Sequence, residues 1–194
     1  KFVIVNQFID RTFAREKTFF DNEIVAHVSM AYPTSSDLRK LCSLSLDKLK
    51  VDYQNGGTYL AIEGPQFSTK AESELYKSWG ADVIGMTNMP EAKLAKEAEI
   101  RYCTVAMVTD FDCWHLQNDN VDIDLIIKVL EENTDQAKKM IEDIIINFDF
   151  EVNENDKTHR CLDTAIITHP DMMTKETKEK LKTIAGRVLF KNNN

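Results

Sequence analysis

The chain has 194 residues, 43% of them hydrophobic and 29% charged, a globular composition long enough to bury a core without disulfide staples. Its 32 acidic against 24 basic residues leave a formal net charge of -8, which argues against a nucleic-acid partner, because gripping a phosphate backbone takes a basic face. No apolar run approaches the roughly 20 residues of a membrane helix, and no signal peptide opens the chain, so no membrane partner is expected either.

Lys1-Phe2-Val3-Ile4-Val5 opens the chain without a Met and reads as the middle of a buried strand, unlike an ordinary polar terminus. The expectation is a piece of a longer protein. Phe2 to Val5 is the first strand, and Gln7 to Phe20 mixes charge and aromatics without period, which reads as a loop. Ser35 or Ser36 can cap a helix running to about Leu49, with Leu38, Leu41, Cys42, Leu44, Leu46 and Leu49 on its apolar side. Asn55-Gly56-Gly57 is a turn, Thr58 to Ile62 a strand, and Thr69 to Trp79 a helix closed by Gly80. Ala81 to Gly85 is a short strand, and Pro90 opens a helix to about Glu99. Tyr102 to Thr109 is a strong strand with core-like Cys103, Val105, Met107 and Val108. Asp122 to Ile146 is the longest helix, with Ile123, Ile126, Ile127, Leu130, Ala137, Met140, Ile141 and Ile144 on one stripe. A strand-like run at Thr164 to Thr168 and a helix from about Met173 to Ala185 complete the pattern.

Strands alternating with helices indicate one α/β domain over 1–194, a mixed central β-sheet flanked by helices. The scattered cysteines (Cys42, Cys103, Cys113 and Cys161) contain no C-x-x-C pair, which fits reduced thiols and a cytoplasmic protein. In such sheets ligands bind beyond the carboxyl ends of strands, which selects the segments after Ile62, Ile84 and Thr109.

In the first, Glu63-Gly64-Pro65-Gln66-Phe67-Ser68-Thr69, Phe67 is a ring to stack on a flat ligand, or else a core residue at a plain turn. In the second, Gly85-Met86-Thr87-Asn88-Met89-Pro90-Glu91, Thr87 has a hydroxyl and backbone N–H suited to an anion, while a helix cap by Thr87 or Asn88 is the alternative. In the third, Thr109-Asp110-Phe111-Asp112-Cys113-Trp114, Asp110 and Asp112 fall on one side of an extended chain. One protonated and one ionised carboxyl would then suit an adenine edge, and a solvated acidic loop is the alternative. Cys113-x-His115 with two Asp residues matches no common ligand set, so no metal is expected. His27, between Ala26 and Val28, reads by itself as a core histidine.

Read together, Asn6 to Thr12, Ile62 to Ser68, Ala81 to Thr87, Pro90-Glu91, Leu94 to Ala98 and Thr109 to Trp114 resemble the trimeric nucleoside phosphorylase family. The match runs in order and spacing through most of 1–146, and the tail over 150–194 diverges. The resemblance is greatest to members that cleave methylthioadenosine. It implies phosphorolysis: inorganic phosphate attacks C1' of the thioribose, adenine leaves, and 5-methylthioribose-1-phosphate forms. Phosphate is then a co-substrate, no cofactor is needed, the partner is a second and third copy of the chain, and the setting is purine and methionine salvage.

The resemblance further implies that Asp110 and Asp112 hold the purine N7 and N6 edge and act in catalysis. Phe67 lies along the base, Ile84 and Met86 contact the substrate at the sugar, and Thr87 contacts phosphate. Ile123 and Ile126 line the methylthio pocket, and His27 reaches the 5' end of a neighbouring subunit's ligand. Members acting on 6-oxopurines place Asn at the base contact, so inosine, guanosine and methylthioinosine are the alternative substrates. The family's glycine-rich phosphate loop and Arg-His pair have no counterpart in these residues, so a second alternative is a non-catalytic remnant. The isolated chain is expected to be inactive.

Overall fold

The computed structural model describes residues 1–20, 23–113, 123–148 and 156–190, with the side chains of 123–126 outside that description. β1 (Phe2–Val5) is buried along its whole length, as its apolar run requires. After Asn6 the chain continues as β2 (Gln7–Arg11), so the first ten-odd residues are one extended ribbon serving two sheets. A second ribbon, β3 (Tyr53–Asn55) and β4 (Thr58–Ile62), runs parallel to it. Phe2 pairs with Tyr53 and Gln7 with Thr58, so one register holds across the break. At the break Gly57 N donates to Asn6 Oδ1 at 3.0 Å, and Asn6 N donates to the Gly57 carbonyl at 3.1 Å.

Each half of this double ribbon gains a third strand. β6 (Thr104–Met107) joins β1 antiparallel, and β5 (Val83–Gly85) joins β4 parallel. The result is two three-stranded sheets, ordered β3-β1-β6 and β2-β4-β5. Helices α1 (Ser36–Leu49) and α4 (Ile123–Asn147) cover the first sheet, where Phe2 and Ile4 pack with Cys42, Leu46 and Met140. Helix α3 (Glu91–Glu97) brings Ala92 to Val5, Tyr59 and Ala61, while α2 (Lys70–Ser78) sets Tyr76 against Leu60 and Ile62. The expected α/β arrangement with flanking helices is what the chain adopts, but in place of one mixed central sheet the described strands form two, β3-β1-β6 mixed and β2-β4-β5 all parallel, because the ribbons break at Asn6 and Gly57.

Several local expectations differ. Gln7–Arg11 is a strand, not a loop: its side chains are only half-buried, so no apolar run marks it, and β4 supplies the ladder. The short β3 was hidden for the same reason. Ser35 occupies the first cap position, yet its hydroxyl goes to Asp156 Oδ2 at 3.3 Å and not to a helix N–H. Thr69, by contrast, forms a full capping box with Glu72. Thr164 to Thr168 contributes only one antiparallel bridge, Ile166 to Ala26. The last helix breaks at the buried Leu181 into α5 (Lys175–Lys180) and α6 (Lys182–Leu189). On the α4 stripe Met140 is buried, whereas Ile127, Leu130 and Ile141 are exposed; Met107 of β6 is exposed too. The tail builds its own core, in which Leu162, Ala165, Leu181 and Ala185 enclose Phe20 and Ile24.

All four cysteines are free thiols. Among the described residues no helix is long and apolar enough to cross a membrane, and no group of three or more His, Cys, Asp and Glu is placed to hold a metal ion.

Candidate active site

β2, β4 and β5 are parallel, so their ends at Arg11, Ile62 and Gly85 lie on one edge of the sheet. The segments that follow them, 12–20, 63–69 and 86–90, gather there, as ligand-binding loops of such sheets do. The sequence singles out the second and third of these; the first mixes charge and aromatics without period.

Close approach at two glycines sets the geometry of the second pair. Tyr59 is buried in β4, and its hydroxyl passes over Gly85: a Cβ on Gly85 would lie 2.0 Å from the Tyr59 oxygen. That hydroxyl shares a 3.1 Å hydrogen bond with Thr87 Oγ1 and accepts one from Thr87 N at 3.4 Å. Thr87 itself is exposed at the edge. Gly64 has φ +73, a left-handed conformation that favours glycine, and a Cβ there would lie 2.6 Å from Met86 Sδ. Loops 63–69 and 86–90 therefore touch, and Met86 packs with half-buried Ile84 beside Leu60, Ile62 and Tyr76.

Asn88 is buried with φ +70, and its Oδ1 accepts from Tyr102 Oη at 2.8 Å and Thr104 Oγ1 at 2.9 Å. Helix α3 has no side-chain cap. The helix-cap reading of Thr87 and Asn88 is thereby replaced: both side chains bond across the sheet instead.

Segment 12–20 locks onto this edge through ions. The Glu63 carboxylate accepts from Phe13 N at 2.6 Å, Ala14 N at 3.1 Å and Arg15 Nε at 3.0 Å. Those two backbone bonds and the Arg15 guanidinium hold its carboxyl below the usual carboxylate range. Arg15 continues with Nη1 to the carbonyls of Met86 (2.9 Å) and Met89, and Nη2 to those of Glu63 (2.9 Å) and Ile62 (3.4 Å). Asp10, at the end of β2, binds Lys93 of α3 and accepts from Thr12 N and Oγ1 at 2.8 and 2.6 Å. Further along, Phe19 N donates to the buried Glu97 carboxylate at 2.7 Å.

The third candidate segment starts after β6 ends at Met107, where Asn133 of α4 donates to the Val108 carbonyl at 3.2 Å. Asp110 and Asp112 therefore do not sit on an extended strand, and the one-side geometry expected of them is not formed that way. Asp110 is exposed and accepts from Thr109 Oγ1 at 2.7 Å. Asp112 accepts from the fully buried Ser73 Oγ of α2 at 2.6 Å and from Cys113 N at 2.8 Å. Cys113 Sγ lies 3.3 Å from Ser73 Oγ and 3.9 Å from the Ser68 carbonyl, which joins this segment to loop 63–69. Phe67, in that loop, is 89% exposed and is not the core residue of the plain-turn reading.

The remaining candidates divide. His27 is exposed, not in the core, and its backbone N donates to the Ala165 carbonyl at 2.8 Å. The side chains of Ile123 and Ile126, together with Trp114 and His115, lie outside the described residues. Arg15, Tyr59 and Ser73 support the site without having been singled out by sequence. Arg15 lies in an aperiodic loop, Tyr59 reads as a strand residue and Ser73 as a helix residue, so nothing local marks them.

A family model described as the phosphorylase superfamily matches residues 1–146. Among curated relatives, S-methyl-5'-thioadenosine phosphorylase of Rhodospirillum rubrum is 56% identical over 189 residues, covering 97% of this chain and 64% of the relative. The protein of the same name from Bradyrhizobium diazoefficiens is 52% identical, over 97% and 65%. The chain thus spans a little under two thirds of these relatives' length. Among solved structures, a methylthioadenosine phosphorylase from an antarctic soil metagenomic library superposes with TM-score 0.83 at 43% identity, covering 94% of this chain and 64% of that one. Methylthioadenosine phosphorylase from Schistosoma mansoni in complex with adenine superposes with TM-score 0.79 at 26% identity, covering 89% and 67%.

Proposed function

This chain belongs to the phosphorylase superfamily, and from that premise we propose that the protein catalyses phosphorolysis of S-methyl-5'-thioadenosine, giving adenine and 5-methylthioribose-1-phosphate. The curated relatives at 56% and 52% identity carry that activity in their names. In this reaction a phosphate oxygen forms the new bond to C1' as the C1'–N9 bond breaks. The bonding electrons pass into the purine, which leaves with a proton at N7. Catalysis of this kind consists of positioning and of stabilising charge at both ends of the breaking bond.

The observation that carries the base assignment is the setting of Asp112. Ser73 Oγ and Cys113 N both donate to it, one to each oxygen, an arrangement suited to an ionised carboxylate. Such a group accepts from the exocyclic amino group of adenine and repels the carbonyl oxygen of a 6-oxopurine. Asp110 is the N7 donor, assisting departure of the base. Phe67 lies along the purine, Ile84 and Met86 against the sugar, and Thr87 on phosphate. Ile123 and Ile126 form the methylthio pocket, and His27 serves the 5' end of a neighbouring subunit's ligand in a homotrimer. The setting is purine and methionine salvage in the cytoplasm, with phosphate as co-substrate and no cofactor.

The test is release of purine by the complete protein with phosphate and, in turn, methylthioadenosine, inosine and methylthioinosine. Methylthioadenosine is expected to be cleaved fastest, and Asp110→Asn to lower kcat/KM by about 100-fold or more. Faster turnover of inosine overturns the base assignment; an Asp110→Asn variant with unchanged kcat/KM overturns the role at N7.

A further inference from the structure

We propose that Arg15 is a positioning residue that locks the base-side loop (63–69) and the phosphate-side loop (86–90) into one geometry, so that a ligand bound at one favours binding at the other. The proposal rests on the reading just given of those loops as two halves of one site. A guanidinium has five N–H groups in a rigid planar fork, and Arg15 places all five on acceptors. Nε reaches Glu63 Oε1 at 3.0 Å; Nη1 reaches the Met86 carbonyl at 2.9 Å and that of Met89; Nη2 reaches the carbonyls of Glu63 at 2.9 Å and Ile62 at 3.4 Å.

The acceptors are distributed in a telling way. Met86 and Met89 bracket Thr87 and Asn88, so Nη1 holds both sides of the hydroxyl assigned to phosphate. Ile62 and Glu63 form the root of the loop that carries Phe67, so Nη2 holds the base side. A turn carbonyl left unpaired at this edge would drift toward water, and the loop with it. Glu63 fixes Arg15 in return: its second oxygen binds Phe13 N and Ala14 N, which sets the backbone from which the arginine projects. Arg15 and Glu63 are about one-fifth exposed, so the pair is shielded without being sealed. A lysine keeps the charge but is a point donor and cannot span two loops.

The coupling is measurable with two known probes, adenine and inorganic phosphate, on the complete protein. In the parent protein, saturating phosphate is expected to tighten adenine binding by about fivefold or more, the scale of ordinary coupling between sites. In Arg15→Lys, with circular dichroism and Tm near those of the parent, the ratio is expected to fall to near one. KM for phosphate and for methylthioadenosine should rise together. Glu63→Gln, which keeps the carbonyl bonds but loses the charge partner, should lie between the two and serves if Arg15→Lys does not fold. A folded Arg15→Lys, or in its place a folded Glu63→Gln, that retains the parent's full coupling overturns the proposal, even if its activity is lower, because a merely structural arginine would do that. A parent protein that neither binds adenine nor cleaves a nucleoside overturns the functional reading itself, a result visible before any substitution is made.

Discussion

Asp10 ends β2 among groups that decide its charge. Burial pushes its carboxyl up, but the Lys93 ammonium and the N–H and hydroxyl of Thr12 outweigh it and hold the pKa at about 2, against an ordinary 3.8. A depressed pKa means that folding favours the ionised form. The stabilisation is present in full above pH 3.8 and is lost as pH falls toward 2. Asp10→Asn should therefore cost about 1–2 kcal/mol near neutral pH, solvent screening included. The difference from the parent should shrink in thermal melts taken from pH 7 down to pH 3. A gap that stays constant over that range would remove the ion pair as its cause. Arg15 and Ser73 also show why part of the candidate site was not legible in the sequence. Phe67, Met86, Thr87, Asp110 and Asp112 stand in short segments whose residue types and spacing carry meaning. Arg15 has meaning only beside residues 63, 86 and 89, and Ser73 only beside Asp112.

Elements follow the same division. β1 and β4 were legible because their apolar runs are buried on both faces, and α2 because Thr69 and Glu72 cap it locally. β2 and β3 were not, since their side chains are half-exposed and their state depends on a parallel partner some fifty residues away. Gly85 ties element to site. The Tyr59 oxygen would lie 2.0 Å, and its ring carbon 2.8 Å, from any Cβ at that position. Gly85→Ala should thus destabilise the protein by about 1–3 kcal/mol through overpacking, and weaken phosphate binding by displacing the hydroxyl that holds Thr87. Adding Tyr59→Phe removes the nearer clash and should return part of the stability but not the phosphate affinity. Denaturant melts and KM for phosphate read the two effects separately, and an undisturbed Gly85→Ala would show that Tyr59 can move aside.

On the scale of the whole molecule, the exposed His27 is the informative residue. It lies on a segment held by the tail, through the Ala26–Ile166 bridge and the bond from His27 N to Ala165. In a cyclic trimer whose copies exchange this residue, each site needs Asp110 from one copy and His27 from another. Asp110→Asn and His27→Ala subunits, each poorly active alone, should then regain turnover when co-expressed. Mixed trimers with no more activity than either parent variant would place His27 in its own subunit's site or outside any site.

The sequence by itself determined the alternation of strands and helices, the net negative charge, and the three segments whose residue types suit a flat ring, an anion and a hydrogen-bonding base edge. These are properties of nearest neighbours and local spacing, so they survive without knowledge of the fold. Tertiary structure alone decided that the two ribbons share one register across the break at Asn6 and Gly57, and that segment 12–20 packs on the sheet edge where loops 63–69 and 86–90 meet. It also decided that Ser73 and Cys113 hold Asp112. Parallel pairing brings strand ends together from distant parts of the chain, and the side-chain hydrogen bonds formed there have no trace in the residues adjacent to either partner.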